Sequence, residues 1–260
     1  IEHHQPWPGG RFNHYLFDLN RDWAWQTQVE SAARIKLYQQ WMPQIHVDLH
    51  EMGINSPYFF APAAVPYHES ITDWQRDFLH MTGTNNAKHF DENGWLYYTK
   101  EVFDLLYPSY GDTWPTFNGA IGMTYEQGGS RQAGLHVHQE TGNILSLEDR
   151  VNHHFTSSIS TIEAAFKNRE RLIKEFKNYF TERPNEKYQS YIIKYSKEKK
   201  RTIATLLKLL DNQNIKYGHP RTNGNSSGFD FMNNKSGSFS YDQKDIVVRL
   251  DQPLSRFVKV

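Results

Sequence analysis

No cysteine occurs in the chain. That absence removes disulfide scaffolds, Cys-ligated zinc, iron–sulfur clusters and thiol catalysis together. Any metal site must therefore use the 13 His together with carboxylates. Of the 260 residues, 38% are hydrophobic and 15% aromatic, too apolar a composition for disorder. Lys plus Arg and Asp plus Glu each number 29, for a formal net charge of zero. A nucleic-acid binder needs a basic face, and so does a polybasic membrane-surface protein; the balance argues against both. No apolar run approaches the roughly 18–20 residues that a bilayer-spanning segment requires.

Periodicity divides the chain into alternating elements. Residues 1–14 read as a loop of Gly, Pro and His, and 15–19 as a short strand. Val29, Ala32, Ala33, Leu37 and Trp41 recur at helical spacing, predicting a helix over 26–42 that Pro43 stops. Residues 44–50 alternate like a buried strand. Residues 54–68 read as a structured loop and 69–90 as containing a helix, with Trp74, Phe78 and Met81 on one face. A loop at 108–119 leads into a strand from Ala120 to Glu126. Over 157–180, Ile159, Ile162, Phe166, Ile173, Phe176 and Phe180 form an apolar helix stripe. Pro184 marks a boundary, giving one domain at 1–183 and a second, small α/β domain at 184–260. In the second, strands at 191–193, 215–217 and 245–250 and a helix at 198–210 make a βαβ-like unit. Residues 221–240, rich in Asn, Gly and Ser, read as a loop or link.

Four clusters carry chemistry. Residues 9–23 hold Arg11, Asp18, Asn20 and Arg21; an Arg fork binds a carboxylate or polarises a carbonyl oxygen, and Asn20 adds an amide donor. The plain alternative is an exposed Arg pair in ordinary ion pairs. Residues 47–53 place His50 at a strand's carboxyl end, where a neutral imidazole is a natural zinc ligand and Asp48 or Glu51 could orient it. Its plain alternative is a buried His bonded to a backbone carbonyl. Residues 106–115 offer Tyr107 or Tyr110 on a loop. Residues 122–129 end a strand at Glu126, a carboxylate able to take a proton from water and pass it to a leaving amine.

In this order the clusters resemble the zinc carboxypeptidases of the M14 type, the carboxypeptidase A and B family, over roughly residues 5–180. Asp18-Leu19-Asn20-Arg21, Asp48-Leu49-His50 and Thr124-Tyr125-Glu126 carry the resemblance. It implies an α/β fold with a mixed, mostly parallel sheet flanked by helices, incomplete at its start. It implies zinc as cofactor, His50 as a metal ligand and Glu126 as general base and acid. Arg11 then stabilises the oxyanion, Asn20 and Arg21 grip the substrate's terminal carboxylate, Asp18 backs the first zinc His, and Tyr107 closes over the substrate. Asp112, two residues before Trp114, falls near the family's specificity pocket, where a carboxylate suits Lys or Arg side chains.

One departure is plain. The family's other two zinc ligands come from a His-x-x-Glu motif ahead of the Asn-Arg pair, and the nineteen residues before Asn20 contain none. The one match, His89-Phe90-Asp91-Glu92, falls after His50, in the wrong order. The chain therefore reads as such a catalytic domain lacking its amino-terminal part, a segment inactive by itself. The implied partner is a peptide with a free C-terminal carboxylate, without nucleic acid or a membrane-spanning segment, and family habit implies a secreted or periplasmic protein. A zinc-dependent deacylase of N-acyl amino acids and a non-catalytic peptide or glycan binder are the rival expectations.

Overall fold

A computed structural model describes residues 11–129, 134–183 and 186–260. The chain divides into two compact units, Ile1–Lys177 and Asn178–Val260. The boundary residue Pro184 and most of the expected opening loop lie outside the described residues.

The first unit is mixed α/β. Helix α1 (Val29–Trp41) leads into strand β1 (Ile45–Met52), followed by the short strands β2 (Tyr58–Phe59) and β3 (Ala64–Tyr67). Helix α2 (Asp73–Asn93), strands β4 (Tyr97–Tyr98) and β5 (Asp104–Leu105), and helix α3 (Thr113–Phe117) precede strand β6 (Ile121–Gly128). A small hairpin, β7 (His136–His138) with β8 (Ile144–Ser146), comes before α4 (Leu147–Lys167) and α5 (Arg169–Thr181), whose last residues belong to the second unit. The central sheet has the order β1-β6-β2-β4. β1 runs parallel to β6, β6 antiparallel to β2, and β2 parallel to β4, so the sheet is mixed.

Local chemistry fixes these elements. Thr72 accepts from the Gln75 backbone N–H at 3.2 Å, and Gln75 Oε1 accepts from the Thr72 N–H at 2.9 Å, so a capping box starts α2. Gly94 ends α2 at φ 67°, a left-handed conformation that costs glycine nothing. Ser146 and Asp149 form a second capping box at the start of α4. β6 is buried along nearly its whole length and carries the core: Ile121, Met123 and Tyr125 are buried, as are Trp114 and Phe117 on α3 and Phe78 and Leu79 on α2, the two helices that contact β6. Gln75 Nε2 donates to the Thr116 and Ala120 carbonyls at 2.8 and 2.7 Å, pinning α2 to the corner between α3 and β6.

Several expectations are corrected. Residues 15–19 are not a strand: the Asn13 side chain accepts from the Tyr15 and Phe17 N–H groups, turning the chain toward a 3₁₀ turn at Leu19–Arg21. The loop at 54–68 contains β2 and β3, and the loop at 108–119 contains α3. The single helix at 157–180 is two, α4 and α5, and it starts earlier, at Leu147. The apolar stripes of α1 and α4 do not face the core. Val29, Leu37 and Trp41 on α1 and Ile159, Ile162 and Phe166 on α4 are exposed, while α4 buries Ser157, Ser160, Thr161 and Ala164.

The second unit contains β9 (Ser190–Ile193), α6 (Lys200–Asn212), β10 (Gly224–Asp230), β11 (Lys235–Tyr241), β12 (Ile246–Arg249) and α7 (Ser255–Val258). β9 pairs antiparallel with β12, so the expected parallel βαβ arrangement is replaced by an antiparallel one. The strand expected at 215–217 is absent; a single bridge joins Gly218 to Val247. The expected loop at 221–240 is the β10–β11 hairpin. Asp245 is buried and accepts from the Tyr195 N–H at 2.9 Å and pairs with Lys194.

Candidate active site

The parallel register of β1 and β6 sets His50 directly beside Glu126. Residues two apart on a strand share a face, so Asp48 and His50 project together. Asp48 Oδ2 lies 2.8 Å from His50 Nε2. Asn20 Nδ2 donates to the same Asp48 oxygen at 3.2 Å and lies 3.1 Å from His50 Nε2, while Asn20 Oδ1 accepts from Trp23 Nε1 at 2.9 Å. The hydrogen bond to Asp48 raises the imidazole's pKa. Burial pushes the Asp48 carboxyl up, but His50, His46 and Asn20 outweigh it and hold the group below its ordinary range.

Glu126 is 8% exposed, and its Oε2 has no hydrogen-bond partner among the described residues. Burial pushes its carboxyl up to about 7; the positive fields of His50 and Arg11 oppose the shift, and Asp48 and Asp112 add to it. A carboxyl poised there can both accept and return a proton near neutrality.

Arg11 is anchored by Asp18, Nε to Oδ1 at 2.8 Å, and its charge is felt at both His50 and Glu126. Asp18 also accepts from the Asn20 N–H at 2.9 Å, capping the 3₁₀ turn that presents Asn20 and Arg21. Those two neighbours diverge. The Asn20 amide turns inward to Asp48 and His50, whereas Arg21 stays exposed with its guanidinium 4.4 Å from the Tyr110 ring centroid. The Tyr loop is tied to the same turn: Ser109 Oγ donates to the Arg21 carbonyl at 2.8 Å and accepts from the Ala24 N–H at 2.9 Å. Tyr107 is part-exposed and accepts from Trp25 Nε1 at 2.7 Å.

Gly111 closes the floor of this group. A Cβ there would meet Asp48 Oδ2 at 2.1 Å and Asn20 Oδ1 at 2.6 Å. Asp112 is 5% exposed and accepts from Thr124 Oγ1 at 2.8 Å, so its carboxyl is closed to a substrate side chain. Burial raises that carboxyl to about 6.

One further histidine, His154 on α4, reaches this group without any motif to mark it. It is half-buried behind β1, bonded to Tyr58 Oη at 2.8 Å and to the His50 backbone. Nothing in its spacing signals this, because the contact joins a helix to a strand about a hundred residues earlier. His153 beside it is buried against Gln127 Oε1 at 2.7 Å, and burial lowers its pKa to about 4. His89 reaches Glu163 at 3.0 Å and contributes nothing to the His50 group, while His136 and His138 are exposed on β7.

The described residues do not show the three-ligand arrangement expected around His50. They contain no group of three His, Cys, Asp or Glu arranged to hold a metal, and His50 Nε2 is already bonded to Asp48. No helix among them is long and apolar enough to cross a membrane. No protein-family model, curated protein or solved structure matches the chain.

Proposed function

We propose that this chain is an amide hydrolase of the carboxypeptidase kind, removing the last residue from peptides with a free terminal carboxylate. The observation that carries this reading is Glu126. It is a buried carboxyl with an unpartnered oxygen, raised to about 7, beside an Asp48–His50 pair and within the field of Arg11. In this reading Glu126 takes a proton from water as the water oxygen attacks the scissile carbonyl carbon. Arg11 offsets the charge that develops on the carbonyl oxygen. The C–N bond then breaks, and Glu126 returns its proton to the leaving amine. Arg21, exposed beside Tyr110, supplies the fork for the substrate carboxylate. Asp48 and Asn20 fix the His50 ring beside Glu126.

Hydrolysis of a peptide with a free carboxyl terminus, compared with the same peptide amidated, tests the reading. The free form is the better substrate, and Glu126→Gln lowers kcat by about 10²–10⁴-fold. The wild-type kcat/KM rises with pH through about 7, as the carboxyl ionises. Equal cleavage of both peptides, or an active Glu126→Gln enzyme, overturns it.

A further inference from the structure

Leu147, Val151, Phe155, Ile159, Ile162 and Phe166 recur at three or four residues along α4, and each is between 44% and 66% exposed. From Val151 to Phe166 the only other exposed residue is Asn152. Glu163 is turned toward α2, where it holds Asn85 and His89. The stripe exposes on the order of 700 Å², above the largest apolar patch of a typical monomer and close to one partner's share of a standard interface.

We propose that a second copy of this chain covers this face, with its α4 antiparallel across a two-fold axis. The sequence of the stripe supports self-pairing. An axis passing between Ser158 and Ile159 sets Val151 opposite Phe166 and Phe155 opposite Ile162, and it brings Glu148 to the end of the partner helix, where Arg169 opens α5. Glu148 is exposed at the amino end, and Lys167 and Arg169 are exposed at the carboxyl end. The two-fold makes that acidic–basic contact twice, and it opposes the two helix macrodipoles favourably. The α1 stripe of Val29, Leu37 and Trp41 lacks this self-matching character: its first turn carries Glu30, but its last turn has no basic residue.

Sedimentation equilibrium of the full chain over a range of concentrations tests this. The wild type sediments as a dimer, and Phe155→Glu and Ile162→Glu sediment as folded monomers. Glu148→Arg weakens dimerisation by about tenfold or more, and adding Arg169→Glu restores it. The charge reversals sit on the surface, so they read the interface even if the stripe variants fail to fold. A monomeric wild type, a dimer indifferent to Glu148→Arg, a loss that Arg169→Glu does not rescue, or open-ended aggregation would each overturn the proposal. So would a monomer that binds lipid vesicles through the stripe.

Discussion

Asp48 and His50 stand two residues apart on one strand, and their side chains meet at 2.8 Å, Oδ2 to Nε2. The contact raises the His50 pKa and helps to hold the Asp48 carboxyl down. The signs define a window. His50, raised from 6.5, contributes stability fully present below 6.5 and lost as pH rises through its folded value. Asp48, lowered from 3.8, contributes stability present above 3.8 and lost as pH falls through its folded value. Asp48→Asn is therefore expected to cost most between those two limits. Urea unfolding across pH measures it, and a cost constant from acid to alkali would contradict the pairing.

Glu126 acts with the opposite sign. Its carboxyl moves from 4.5 to about 7, so the folded chain holds a proton there that the unfolded chain has released. Stability falls as pH rises through that interval, by about 3 kcal/mol at most. Glu126→Gln is expected to raise the unfolding midpoint at pH 8 and to leave it nearly unchanged at pH 4. A midpoint shift of equal size at both pH values would mean that the substitution changes packing and not ionisation.

Much of this site was legible in the sequence because its strands are regular. Alternation in residues 44–50 and the apolar run before Glu126 define β1 and β6, and strand-end logic then brings His50 and Glu126 together. Asp48 was named there as a residue able to orient His50. The divergence of Asn20 from Arg21 was not legible, since it depends on a 3₁₀ turn capped by Asp18. The β10–β11 hairpin was hidden by its Gly, Asn and Ser content, poor strand formers that strand pairing overrides. The α4 stripe misled for a different reason. Periodicity reports that a helix has an apolar face but not which neighbour covers it, and here the buried face is built from Ser, Thr and Ala.

The contact at Gly111 yields a sharper prediction. Any Cβ at this position collides with Asp48 Oδ2 and Asn20 Oδ1. Gly111→Ala must push the Tyr loop off the β1 face or displace Asp48 Oδ2, the oxygen that bonds both Asn20 and His50, at a cost of about 1–3 kcal/mol; displacement of Asp48 is the expected outcome. The His50 imidazole pKa, followed by NMR, should then fall toward 6.5. A variant as stable as wild type, with an unmoved His50 titration, would show that the loop does not rest on this pair.

Zinc provides the widest test of the site. The described residues offer His50, with Nε2 bonded to Asp48, and no second nitrogen ligand within a metal-holding group. A site of three protein ligands holds zinc tightly; one His does not. Elemental analysis after dialysis is expected to find far less than one zinc per chain, and a chelator should leave the unfolding midpoint unchanged, since metal that does not bind adds nothing to stability. One zinc per chain, lost in His50→Ala, would mean that the imidazole gives up Asp48 for the metal. The remaining ligands would then lie outside the described residues, with His3 and His4 the first to replace. Zinc retained in His50→Ala would place the metal elsewhere, and His89 with Glu163, already 3.0 Å apart, would be the next pair to change.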